Sequence, residues 1–128
     1  MTREDKAAVV VITGGASGIG SGVANLFADR DMRVILWDWN EPALANLPGA
    51  DRFAHLQKVD VTDEVSVQAA TEEVERRFGR VDILVNSAGI AGAQAEITDY
   101  QLADWEKCLS VNLTGTFLCC KHIIGVMK

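Results

Sequence analysis

Residues 7–20 read AAVVVITGGASGIG: a continuous β-branched run breaks into a glycine-rich turn and then resumes as an amphipathic pattern. The opening stretch, 7–13, shows no polar alternation before Thr13, the pattern of a strand buried on both faces of a parallel sheet. After the turn, Ile19, Val23, Leu26 and Phe27 recur at spacings that share one helical face, so a helix is expected from Ile19 to about Arg30. A glycine-rich turn between a buried strand and a helix is the setting in which backbone amides bind a dinucleotide pyrophosphate. Glycines let the phosphates approach the chain, while free N–H groups and the helix dipole supply about half a positive charge. Outside that setting the same string would be an ordinary tight turn.

Outward from this segment the alternation repeats. Residues 33–37 (RVILW) form a second buried strand closed by Asp38, and Pro42 suits an early turn of a short helix starting at Asn40 or Glu41. A weaker third strand spans 53–59 and ends at Asp60. Thr62 or Asp63 caps the next helix, whose Val67, Ala70, Val74 and Phe78 follow helical spacing until Gly79 stops it. Residues 81–85 (VDILV) form the fourth strand. From Thr98 a long helical pattern runs through Leu102, Trp105, Leu109, Leu113 and Phe117, with Gly115 and Gly125 as its weak points. Such alternation implies right-handed crossovers onto one sheet: an α/β, Rossmann-like doubly wound fold, truncated because no strand comes after the last helix.

The 128 residues, 48% hydrophobic and 23% charged, suit one globular domain, residues 1–128. A net charge of -6 offers no cationic field for phosphate backbones or anionic lipid, which argues against nucleic-acid and membrane-surface roles. The apolar run at 7–12 falls far short of the ~20 residues that span a bilayer, and the charged residues 1–6 do not open a signal peptide. Cys108, Cys119 and Cys120 are odd in number and form no Cys-x-x-Cys pair, so reduced thiols in a cytoplasmic protein are expected. His55 and His122 are a whole crossover apart, which leaves no metal-ligand spacing. The run EEVERR at 72–77 reads as a solvated helix face, and Trp37, Trp39 and Trp105 are expected to pack.

The string TGGASGIG at 13–20 resembles the Thr-Gly-x-x-x-Gly-x-Gly signature of the short-chain dehydrogenases/reductases. Further matches come in that family's order: Asp38, Asp60-Val61, Asn86-Ser87-Ala88-Gly89 and Asn112. The resemblance covers essentially the whole chain and implies a strand order 3-2-1-4, with NAD as cofactor. Gly14, Ser17, Gly18, Ile19 and Gly20 would cradle the diphosphate. Asp38, 18 positions after Gly20, can accept hydrogen bonds from both adenosine ribose hydroxyls and would repel a 2′-phosphate. NADP-using members often carry Arg where this chain has Ser17 or Trp39, which also points to NAD.

The family's acid at Asp60 meets the adenine amino group, and Val61 lends backbone and apolar surface; locally, Asp60 fits a ligand-free turn equally well. Asn86, Ala88 and Gly89 resemble the Asn-Asn-Ala-Gly that lines the cofactor, with Ser87 replacing the usual second Asn and its paired donor and acceptor. Asn112, between Val111 and Leu113, needs partners for its amide. The resemblance makes it the catalytic-site residue that holds a relay water; a helix-kinking structural role fits the local pattern too. Asp31 stands where the family commonly has Gly and is expected in a left-handed conformation.

The family's Tyr-x-x-x-Lys pair is not among these residues: Tyr100 is followed four positions later by Asp104 and precedes Asn112, the reverse of the family's order. Two functions are compatible with this pattern. One is the cofactor half of an NAD-dependent oxidoreductase acting on an alcohol or ketone, with Ser, Tyr and Lys elsewhere; the other is a non-catalytic dinucleotide-binding or assembly module. The resemblance further implies a homo-dimer or homo-tetramer built through the long helix, with apolar residues from Phe117 to Met127 suited to that role. The fourth strand is expected to leave an open sheet edge.

Overall fold

The computed structural model describes residues 7–128; residues 1–6, and with them the reading of the charged N-terminus, lie outside the described residues. Four parallel strands form one sheet in the order β3-β2-β1-β4: β1 Val9–Thr13, β2 Arg33–Asp38, β3 His55–Lys58 and β4 Ile83–Asn86. The helices are α1 Gly18–Asp29, α2 Glu41–Ala45, α3 Glu64–Phe78, α4 Leu102–Leu109 and α5 Gly115–Met127.

Strict alternation along the two central strands sorts the core into two layers, because successive side chains leave a strand on opposite faces. Val9, Val11, Ile35 and Trp37 pack with Val67, Ala70 and Val74 of α3 and with Leu118, Cys119 and Ile123 of α5. Val10, Ile12, Val34 and Leu36 face the other way and pack with Ala24 of α1, Leu44 of α2 and Phe53. The sheet is thus covered on both sides, the doubly wound arrangement expected from its uninterrupted apolar strands.

Local chemistry sets the boundaries. Asp63 caps α3 by accepting the Val65 N–H, and Gly79 ends that helix at φ 73. Asp31 turns the chain from α1 into β2 at φ 59, the left-handed residue expected there. The third strand is shorter than 53–59 and only half-buried, since it is a sheet edge; the fourth begins at Ile83 rather than 81, with Val81 buried ahead of it. On α1, Ile19 and Leu26 are exposed, correcting the expectation that they share the buried face with Val23 and Phe27; Ala24 takes the central position.

The long C-terminal helix starts at Leu102, not Thr98, which lies in the 3-10 turn Ile97–Asp99. A π turn, Ser110–Thr114, joins α4 and α5 into one helix, Leu102–Met127, of 26 residues. By length and composition it could cross a bilayer, with mean hydropathy 1.3 in its most apolar part. It packs here by Gly115, Leu118, Cys119 and Ile123, and Glu64 of α3 accepts hydrogen bonds from Lys121 (2.7 Å) and, at 2.8 Å, from His122 Nε2. Lys121, then His122, hold the Glu64 carboxyl below its ordinary range.

Candidate functional site

The carboxyl ends of the strands open into a cleft of about 760 Å³, within the range of small-molecule sites. Gly14, Ser17, Gly18, Ile19, Asp38, Asp60, Val61, Ala88 and Gly89 all line it, so nine of the residues expected from sequence converge. Gly20, Asn86 and Asn112 are not on its wall; Gly20 packs against Gly14 and Asn112 bonds Ile90, both of which are, while Asn86 ties β4 to α5.

Hydrogen bonds and close backbone approaches build the glycine-rich turn. Thr13, buried at the end of β1, accepts the Ser87 and Ala88 amides on Oγ1 at 3.1 and 3.0 Å. Gly14, at φ 65, lies so close to that loop that a Cβ would stand 2.9 Å from Ala88 Cα and Ser87 O. Gly20 supports it from the helix side, where a Cβ would meet the Gly14 carbonyl oxygen at 2.3 Å. The amides of Gly15 and Ala16 are taken by the end of β2, donating to Trp37 O and Asp38 Oδ2.

Beyond Ala16 the turn is open. The first intrahelical bond of α1 runs from Ser21 N to Ser17 O, so the amides of residues 18–20 have no acceptor within the helix. Ser17, at the N-cap, makes no side-chain capping bond, and the first turn carries no acidic residue. Gly18 sits at φ 58 with no atom within 4 Å of where a Cβ would be, so no protein contact fills that space. Unshared amides, an uncommitted hydroxyl and room at a helix N-terminus are the donor set that a diphosphate requires.

Asp38 is nearly buried, and each carboxylate oxygen accepts one amide, Oδ2 from Ala16 at 3.1 Å and Oδ1 from Asn40 at 2.9 Å. A carboxylate has about four lone-pair positions, so both oxygens keep acceptor capacity toward the cleft. Asp60 Oδ1 accepts the Thr62 N–H and hydroxyl, which makes it an Asx-type turn while it lines the cleft. Asn86 donates to Cys120 Sγ at 3.5 Å, linking β4 to α5. Asn112 satisfies its amide on Ile90 and Cys108: Oδ1 accepts the Ile90 N–H at 2.8 Å, and Nδ2 donates to Ile90 O at 2.9 Å and to Cys108 Sγ at 3.3 Å. It does so from within the π turn and so fastens the 87–90 loop to the long helix.

Several residues of the cleft were not expected there from sequence, Trp39, Lys58 and Lys107 among them. Trp39 is 70% exposed and lines the cleft beside Asp38, against the expectation that it packs. Its position after a strand-closing acid was the available signal, since a side chain leaving a strand end is not obliged to enter the core. Lys107 of α4 also lines the cleft, and no periodicity in the sequence distinguishes it from other surface lysines. Trp105, also expected to pack, is 54% exposed, whereas Trp37 is fully buried.

The short chain dehydrogenase family model matches residues 8–128. The chain belongs to this family. D-threitol dehydrogenase of Mycolicibacterium smegmatis is 45% identical over 119 residues, covering 90% of this chain and 45% of that protein. Cis-4-hydroxycyclohexanecarboxylate dehydrogenase of Sinomonas cyclohexanicum is 40% identical over 123 residues, 94% of this chain and 49% of that protein. Among solved structures, NAD+-bound xylitol dehydrogenase superposes with a TM-score of 0.88 at 32% identity, covering 93% of this chain and 47% of that one. The chain spans about half the length of the curated relatives it matches. This short-chain dehydrogenase sheet has the strand order of a Rossmann-like fold, and its cleft lies at the carboxyl ends of the strands, where such folds hold a dinucleotide.

Proposed function

We propose that the cleft binds NAD(H), and that these residues form the cofactor half of an oxidoreductase that moves a hydride between nicotinamide and a secondary alcohol or ketone. The observation that carries this reading is the unshared first turn of α1 and Asp38 on the wall of one cleft, with Ser17 and Trp39 where a 2′-phosphate would need a cation. The relatives named for NAD+ or NADH support that choice, and those named for threitol, xylitol and a hydroxycyclohexane acid support a carbinol substrate.

When bound, the nicotinamide supplies the hydride acceptor or donor. The chain's own residues bind and orient it. The amides of Gly18 and Ile19 and the Ser17 hydroxyl hold the diphosphate, Asp38 accepts from the ribose hydroxyls, Asp60 and Val61 flank the adenine, and Ala88 and Gly89 line the cofactor from the opposite wall. Asn86 and Gly20 act as braces behind the wall. Asn112 holds the 87–90 loop, and a relay water would use the second lone pair of its Oδ1, the first being committed to Ile90. No Tyr-x-x-x-Lys pair occurs in the 128 residues, so these residues supply no acid for an alkoxide.

The long helix offers a surface for a second copy. Trp105, Leu109, Leu113 and Phe117 recur every four residues and are 40–65% exposed, forming an apolar stripe opposite the face that packs on the sheet. We place the protein in the cytoplasm as a homo-dimer or homo-tetramer, consistent with three free cysteines. Calorimetric titration of the folded chain with NAD tests the cofactor reading: saturable heat is expected, and a flat titration would refute it.

A further inference from the structure

The ribose corner holds a cation that the family pattern does not use. Lys58 ends β3 and stands beside Asp38 as its register partner in the parallel β2–β3 pair, and both line the cleft. Its Nζ lies 3.8 Å from Glu41 Oε2, with the two side chains 60% and 69% exposed. Glu41 opens α2, and the preceding residue, Asn40, donates its backbone N–H to Asp38 Oδ1. One strand-end carboxylate therefore positions the helix whose first side chain tethers the neighbouring strand's lysine.

An exposed pair at this distance is weak and screened, so the ammonium is held loosely. The corner carries two carboxylates and one ammonium. A 2′-phosphate arriving there meets Asp38 directly, and the cation beside it is already engaged. Discrimination between two ligands is a difference of affinities, set as much by what repels the wrong one as by what attracts the right one.

We propose that Glu41 and Lys58 form a second selectivity element beside Asp38, in which Glu41 holds Lys58 back from a 2′-phosphate and keeps the corner net negative. The inference rests on the dinucleotide reading above. Loss of Glu41 would free the ammonium and remove one repelling charge; loss of Lys58 would remove the cation and leave only the relief of repulsion.

The test is binding, by calorimetric titration of the wild-type chain, Glu41→Gln, Lys58→Met and the double variant with NAD and with NADP. Glu41→Gln should raise NADP affinity relative to NAD by about threefold, the scale of an exposed charge pair, and less so at high salt. Lys58→Met should lower relative NADP affinity, and the double variant should gain less over Lys58→Met than Glu41→Gln gains over wild type. An unchanged NADP-to-NAD ratio in Glu41→Gln, or a gain of the same size without Lys58, overturns the proposal while leaving the dinucleotide reading intact. Absence of NAD binding by wild type overturns both.

Discussion

The Asp38 carboxylate accepts the Ala16 amide at 3.1 Å, so the residue proposed to read the ribose also fastens the glycine-rich turn to the end of the second strand. Cofactor selection and cradle geometry share one side chain. Asp38→Ala should therefore weaken NAD binding by at least tenfold, on the scale of about 1.5 to 3 kcal/mol for a charge-assisted bond, and narrow the gap to NADP. Melting should also shift downward, because the Ala16 and Asn40 amides lose their acceptor. Unchanged cofactor preference in a titration would remove Asp38 from the site.

Gly18 and Gly20 should fail in different ways. A side chain at Gly20 would collide with the Gly14 carbonyl, so Gly20→Ala should destabilise the fold, read as a lower melting temperature. Gly18 has open space around it but a left-handed backbone, which Asn tolerates better than other residues. Gly18→Asn should keep near-wild-type melting and lose most NAD affinity. Equal losses of stability in both variants would contradict the assignment of open space at residue 18 to the ligand.

Trp39 should report the adenine. An exposed indole in the cleft offers a stacking surface, and base–aromatic stacking contributes roughly 1–3 kcal/mol per base. Trp39→Ala should weaken NAD binding by about tenfold on that scale. Trp39→Phe should retain most affinity while abolishing the fluorescence quench that NAD produces. A quench that survives Trp39→Phe would assign it to Trp37 or Trp105 instead.

Much of this arrangement was legible in the sequence because it stems from backbone physics. The β-branched runs at 9–13 and 33–38 could only be strands buried on both faces, and the glycine spacing at 14–20 admits few other turns. Asp31 was readable because it stands where the resembling family commonly has Gly, at the turn from α1 into β2. Residues whose environment depends on distant elements were not readable. Ile19 and Trp39 look like core residues by type, yet both lie where an element ends at the cleft and nothing covers them. The start of the long helix was misplaced because 98–101 carries helix-compatible residues, while the chain there closes a 3-10 turn with Asp99 N donating to Glu96 O. The π turn around Asn112 was invisible in periodicity, though its cause, an amide seeking the Ile90 backbone, was partly foreshadowed by a polar residue in an apolar run.

Asp82 should make stability depend on pH. Its carboxylate accepts from Arg80 and from the Val9 amide at 2.8 Å, tying the start of β4 to β1, and Arg80 foremost holds its pKa below the ordinary 3.8. A depressed folded value means stabilisation that is fully present above the unfolded pKa and lost as pH falls through the folded one. Asp82→Asn should therefore melt lower than wild type at neutral pH, with the difference shrinking in acid below about pH 4. A difference that grows on acidification would contradict the linkage.

The proposed function stands or falls with a dinucleotide's diphosphate lying against the bare amides of residues 18 and 19. Backbone amide NMR shifts of the isotopically labelled chain, followed during titration with NAD, test this most directly. Saturable changes should be largest at Gly18 and Ile19 and extend to Ala88 and Gly89. Changes confined to other surfaces, or a spectrum indifferent to NAD, would contradict it.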